Sequence, residues 1–215
     1  VQDIRKNIHK MVTLQDSKGS FQVENYKVLH RMTKLFQQRS MFVKRKHVLN
    51  NLSTFLRNNN MLPAIVFVFS RRMVEQCASE ITISLLEKDS KIPNTVRNEC
   101  EQIVRKLPNF KEYLELPEYE TLVGLLQKGI GIHHSGMIPI LREIVEIMIS
   151  KKNIKLLFAT ESFAIGLDCP IKTAVFSGIT KFDGRSERML LAHEYTQMAG
   201  RAGRRGIDKL GHVVH

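Results

Sequence analysis

Short, largely apolar runs alternate along this chain with stretches in which apolar residues recur every three or four positions. AIVFVF at 64–69 is the clearest run, and GIGIHH at 129–134, IKLLFAT at 154–160 and TAVFSG at 173–178 follow it. Strands apolar on both faces belong to parallel sheets covered by helices. The intervening segments supply those helices. Val74, Cys77, Ala78, Ile81 and Leu85 recur at helical spacing after the first run, and Leu141, Ile144, Val145 and Met148 do so between the second and third. The alternation predicts an α/β fold built on a parallel β-sheet with helices on both faces.

Two regions depart from that rhythm. In the first, residues 1–60, MVTLQDSKGSF at 11–21 reads as a short extended segment turning at Ser17 to Gly19, and the apolar spacing after it is helical. Val48, Leu49, Leu52, Phe55 and Leu56 form one helical face before Asn58-Asn59-Asn60 ends it. Residues 1–60 are therefore expected to be a basic, mostly helical lead-in packing on the domain formed by 61–215. In the second, 87–128, two helices are expected, one presenting Val96, Cys100, Ile103, Val104 and Leu107. That stretch is expected to be a helical elaboration of the sheet domain. The last residues, GHVVH, read as a strand cut off as it begins, and the chain as an excised piece of a longer protein.

Charge sharpens the division. The formal net charge is +12, but 1–60 carries 12 basic and 3 acidic groups, 61–150 carries 10 and 12, and 151–215 carries 11 and 6. Basic ends around a near-neutral middle suit a surface that tracks a phosphate backbone, because clustered Lys and Arg release condensed counterions on binding nucleic acid. A solvated basic face would give the same count. At 43% apolar and 25% charged residues the chain is expected to bury a real core. Cys77, Cys100 and Cys169 are widely spaced with no CxxC, which argues against a disulfide framework or zinc ribbon and for a reducing, intracellular compartment, nuclear or cytoplasmic. No apolar run approaches the roughly 18 residues that span a bilayer, so no membrane partner is expected.

Three predicted strands end in abrupt polar segments: Ser70-Arg71-Arg72, His133-His134-Ser135-Gly136 and Thr160-Glu161-Ser162. Carboxyl ends of parallel strands share one edge, where such folds bind ligands, so the three should converge. Short hydroxyls, exposed backbone N–H groups and arginines are what phosphate oxygens require. Helix capping explains any one of the segments equally well. The strongest pattern is EYTQMAGRAGRRGID at 194–208, with glycines at 200, 203 and 206 between arginines at 201, 204 and 205. Arg201 and Arg204, three apart, are expected on one face of a helical turn, able to clamp a polyphosphate and neutralise charge developing in phosphoryl transfer. The competing reading is a loose RNA-binding RGG loop.

Several motifs fail on inspection. GLDCPIKT at 166–173 has Ile171 where a P-loop needs its second glycine, and HEYTQ at 193–197 has Gln where HExxH needs His. Adjacent His133 and His134 would point to opposite faces of a strand. No metal site and no Ser-His-Asp order is supported, and no acidic pair follows a strand to hold Mg²⁺. The chain reads as half of an active site.

Taken in order, four segments resemble the C-terminal motor motifs of superfamily-two helicases, most closely the superkiller-type DExH RNA helicases that include exosome-associated members. AIVFVFSRR at 64–72 resembles motif IV, GIGIHHSGMIPILRE at 129–143 motif IVa, LLFATESFAIGLDCP at 156–170 motif V and TQMAGRAGRRGID at 196–208 motif VI. The resemblance covers roughly residues 10 to 215. It implies the second RecA-like domain of an ATP-dependent RNA helicase translocating 3′ to 5′, partnered by an upstream RecA-like domain that carries the P-loop and DExH box and holds ATP with Mg²⁺. Single-stranded RNA and an RNA-decay or RNA-processing complex are the implied partners.

The resemblance also assigns roles. Motif VI gives Gln197, Arg201 and Arg204 to the nucleotide, the arginines reaching the γ-phosphate. Motif V gives Thr160 and Glu161 to the nucleic acid and Gly166 to Asp168 to the nucleotide. Asp168 stands where close relatives usually carry Asn, and where the DEAD-box branch has Asp to accept from the ribose. Motifs IV and IVa give Ser70 and Arg71, and His134, Ser135 and Gly136, to the RNA backbone. The segment holding Lys181, Asp183, Arg185 and Arg188 lies where relatives place a strand-separating hairpin. Without P-loop and DExH box the isolated chain is expected to hydrolyse no ATP. A non-catalytic RNA-binding scaffold with a helicase-derived fold, or a DNA helicase of the same superfamily, are the alternatives.

Overall fold

The computed structural model describes residues 10–165, 169 and 171–215. The chain divides into two compact units at Lys44 and Arg45. In the first, Gln15 and Phe21 form an isolated antiparallel bridge around a turn at Ser17 and Lys18, as the pattern DSKGSF predicts. Asp16 Oδ1 closes that turn by accepting from the backbone N–H groups of Lys18 and Ser20, both at 2.9 Å. Helix α1, Val23–Gln38, follows.

The second unit begins with α2, Arg45–Asn58, which the sequence groups with the lead-in. Leu49 and Leu56 of α2 are buried in the core of the second unit, with Leu52 and Phe55 packed against it; Val48, at 47% exposure, stays outside. The sheet then assembles from β1 (Ala64–Phe67), β2 (Ile130–His133), β3 (Leu156–Ala159), β4 (Thr173–Phe176) and, at the far edge, β7 (His212–Val214). The spatial order is β2-β3-β1-β4-β7, and every pairing is parallel. All residues of β1 to β4 are buried, which is why these strands read as continuous apolar runs. The arrangement is RecA-like.

Helices flank this sheet. α3 (Arg71–Ser79) follows β1 and packs on β2 and β3, and α7 (Pro139–Ser150) connects β2 to β3. Ile81 and Leu85 are buried as expected, although α3 ends before them. Between Ser79 and β2 lie three helices where two were expected: α4 (Ile92–Val104), α5 (Phe110–Leu114) and α6 (Pro117–Leu126). Pro117 divides the last two, since its ring cannot sit in a helix interior but suits a first helical position. Val96, Cys100 and Val104 form the buried stripe of α4. After β4 the chain makes a small antiparallel hairpin, β5 (Thr180–Phe182) with β6 (Glu187–Met189), then α8 (Ala192–Ala199).

Candidate functional site

Because β1 and β2 both flank β3, the segments leaving their carboxyl ends meet along one edge. Ser70 caps α3, its Oγ accepting from the Met73 N–H at 3.5 Å. Arg71 stands beside it, and its Cδ is so near Gly136 that a Cβ there would lie 3.1 Å away. A side chain at Gly136 would therefore need the Arg71 side chain to give by a few tenths of an ångström. Thr160, after β3, is tied to β2 by its N–H donating to the His133 carbonyl at 3.2 Å. Ser70, Arg71, Arg72, Ser135 and Gly136 are exposed on this rim.

Beneath the rim lie residues that shape it. His134 is 3% exposed; its Nδ1 accepts from the Gly136 N–H at 3.1 Å, which leaves Nε2–H to donate to Glu75 Oε1 at 3.1 Å. That pattern leaves Nδ1 as the acceptor and ties down the loop 134–136. His133 turns the other way, to Glu146 on α7 at 2.8 Å, as strand alternation demands. Burial pushes the His133 imidazole below its ordinary value, with Glu146 opposing. Thr160 is also buried, its Oγ1 paired with Ser162 Oγ at 3.0 Å. Of the residues expected to face RNA, then, Ser70, Arg71, Ser135 and Gly136 form the exposed rim. His134 and Thr160 lie under it, and half-buried Glu161 opens the 3₁₀ turn Glu161–Ala164.

The arginine-rich segment is built differently. The expected helical turn carrying Arg201 and Arg204 does not form: α8 ends at Ala199, and both arginines sit on turns beyond it. Glycine is the reason. Gly203, at φ 92°, occupies backbone space closed to side chains, and a Cβ there would come within 3.1 Å of Gly211 Cα as two backbone segments cross. Arg201 donates through Nε to the Ala164 carbonyl at 2.9 Å, joining the segment to the 3₁₀ turn. Arg204 makes a forked pair with Asp208, Nε to Oδ2 and Nη2 to Oδ1, each at 2.7 Å, while its backbone N–H donates to Oδ2 at 2.9 Å. The guanidinium holds the Asp208 carboxyl down to about 2. Arg204 also lines a cleft of about 190 Å³ with Ala64, Leu157 and Ile171, whereas Gln197 is exposed on α8. Gly166 and Asp168 lie outside the described residues.

No protein-family model matches the chain. The DExH-box ATP-dependent RNA helicase DExH11 of Arabidopsis thaliana is 43% identical over 159 residues, 74% of this chain and 12% of that protein. The antiviral helicase SKI2 of Saccharomyces cerevisiae is 42% identical over 160 residues, 74% of this chain and 12% of its own. The ATP-dependent RNA helicase mtr4 of Schizosaccharomyces pombe is 44% identical over 155 residues, 72% and 14% respectively. The chain belongs to the superkiller-type DExH-box helicases. It spans only about an eighth of the length of these relatives.

In this superkiller-type segment two further carboxylates hold the site together, and sequence reasoning assigned neither of them a role. One is Asp208. The other is Glu194, in the first turn of α8, which accepts a forked pair from Arg188 at 2.9 and 2.8 Å, the Lys181 ammonium at 2.8 Å and the Leu191 N–H at 2.8 Å. Arg188, then Lys181, then the Leu191 N–H hold its carboxyl well below the usual carboxylate range. Lys181 also reaches Glu161 at 3.2 Å. The available signals were a Glu at the third helical position, where it can bond back to the preceding backbone N–H, and an Asp four residues after Arg204. Among the described residues no group of three His, Cys, Asp or Glu could hold a metal ion, and no helix is long and apolar enough to cross a membrane.

Proposed function

We propose that this chain is the second motor domain of an ATP-dependent RNA helicase, and that it contributes two surfaces to the parent protein. The carboxyl-edge rim, Ser70, Arg71, Ser135, Gly136 and the neighbouring Glu161, carries the sugar-phosphate backbone of single-stranded RNA. Gln197, Arg201 and Arg204 face a nucleotide held by an upstream RecA-like domain. Its relatives' names support ATP and RNA as the ligands. The observation that carries the reading is the glycine-built turn presenting Arg201 and Arg204 beside a RecA-like sheet, with family membership behind it.

The residues present fit one side of an ATP site. Guanidinium groups offer planar, permanently charged donors to phosphate oxygens and stabilise charge as the γ-phosphoryl group leaves. Mg²⁺, with the P-loop lysine and the catalytic acid, belongs to the other domain; when bound, it neutralises charge on the β- and γ-oxygens. Closure of the cleft on ATP brings the arginines to the phosphates, and reopening moves the rim along RNA in the 3′ to 5′ direction. An intracellular RNA-decay or RNA-processing assembly is the setting.

The test is ATP hydrolysis by the full-length parent with no nucleic acid, with single-stranded RNA and with single-stranded DNA of the same sequence. The expected result is stimulation by RNA beyond that by DNA, and no turnover by the isolated chain. Equal stimulation by DNA would make it a DNA helicase. RNA binding without hydrolysis would make it a retired motor serving as a scaffold.

A further inference from the structure

Two described cations tie the 3₁₀ turn 161–164 to α8 and its following loop, one at each end. At the far end Arg201 donates to the Ala164 carbonyl. At the near end the Lys181 ammonium, its side chain only 14% exposed, lies between Glu161 Oε1 at 3.2 Å and Glu194 Oε1 at 2.8 Å. The result is a closed frame: Glu161 through the turn to Ala164, across to Arg201, back along α8 to Glu194, and through Lys181 to Glu161. Glu161, at one corner of the frame, belongs to the proposed RNA rim, and Arg201, at another, to the proposed nucleotide surface.

We propose that Lys181 is a positioning residue that couples RNA engagement at the rim to placement of Arg201, an inference that rests on the functional reading above. Rigid elements joined at both ends move together, whereas elements joined at one end can pivot. Lys181 is the removable joint. Without it no cation among the described residues is bonded to both Glu161 and Glu194. Glu194 keeps Arg188 and the Leu191 N–H, so the start of α8 stays capped. Arg188 is ion-paired with Glu194 and Asp183 and acts on Glu161 only through space, without a hydrogen bond to it, so it secures the hairpin without closing the frame.

The experiment compares full-length wild type, Lys181→Met, Lys181→Arg and Arg188→Met. Lys181→Met should keep its RNA-free ATPase and its RNA affinity and lose about tenfold of its RNA stimulation, a typical size for coupling between sites. Lys181→Arg should restore most of it, and Arg188→Met should keep it. Amide hydrogen exchange gives a readout independent of turnover. RNA should slow exchange in both 160–165 and 192–205 of the wild type, and in 160–165 alone of Lys181→Met. Normal stimulation of Lys181→Met, RNA-induced protection of 192–205 in that variant, or equal losses in Lys181→Met and Arg188→Met would overturn the proposal. If the wild type binds RNA but shows no RNA-stimulated hydrolysis, the functional reading fails, and the exchange pattern still decides the coupling. A parent that binds no RNA overturns both.

Discussion

The rim at the carboxyl edge and the arginine turns beyond α8 both carry arginines, yet they are held in opposite ways. The rim is set from below by hydrogen bonds of two buried side chains, His134 to Gly136 and Glu75, and Thr160 to Ser162. Its charges, Arg71 and Arg72, are exposed and make no ion pair among the described residues. The arginine turns are set by their own charges: Arg204 is committed to Asp208 and Arg201 to a backbone carbonyl. On the proposed function, a preorganised rim would receive RNA without rearranging, whereas the arginines would have to exchange or share partners before serving a nucleotide, which would make them the part that responds to cleft closure.

The largest effect that would break this comparison is on turnover. Arg204→Ala in the full-length parent should lower RNA-stimulated kcat by about a thousandfold, the scale of an arginine finger, read by steady-state ATP hydrolysis. Gly211→Val comes next. A side chain there collides with the Ala202 carbonyl, so the arginine turns should lose their shape and ATPase should fall at least about tenfold while RNA affinity is retained in a filter-binding or anisotropy assay. His134→Ala attacks the rim from below, leaving the Gly136 N–H and Glu75 without their imidazole. It should cost roughly 1–3 kcal/mol in a denaturant titration and weaken RNA binding without changing the RNA-free ATPase. Arg71→Ala should weaken RNA binding severalfold and reduce the slope of log affinity against log salt by about 0.7, the single-strand value for one phosphate contact.

Acidity should separate the regions with the smallest effect. The His133 value is lowered in the folded state, so the unfolded chain takes up its proton first. Stability supplied by the neutral imidazole is full above the unfolded value of about 6.5 and declines as pH falls through it. Asp208 is also lowered, but from 3.8 to about 2, so the Arg204 pair holds until pH falls below about 4. Thermal unfolding between pH 7.5 and 5.5 should therefore show a decline that His133→Gln reduces and Asp208→Asn leaves in place.

How much of this was legible in the sequence depended on the range of the interactions. The four central strands were, because burial on both faces writes itself as an apolar run; the strands TKF and ERM, three residues each with exposed ends, were not legible as a pattern, and a hairpin there was expected only through the resemblance. The buried face of α2 was visible in Leu49 and Leu56, but which unit it belonged to was not, since that depends on contacts with distant elements. The rim residues were found because parallel strands bring their carboxyl ends together. That His134 and Thr160 would lie beneath it required tertiary contacts with α3 and the 3₁₀ turn. Glu194 draws Lys181 from thirteen residues back in the chain, so its part in the site could not be read locally.

The central claim is that the rim serves RNA and the arginines serve the nucleotide. The most direct test titrates the full-length wild type, Arg71→Ala and Arg204→Ala with single-stranded RNA and follows ATP hydrolysis in the same samples. The account predicts that Arg71→Ala loses RNA affinity but reaches wild-type turnover at saturating RNA, and that Arg204→Ala binds RNA normally with turnover close to background. An Arg204→Ala protein that hydrolyses ATP like the wild type, or that loses RNA affinity as Arg71→Ala does, would contradict it.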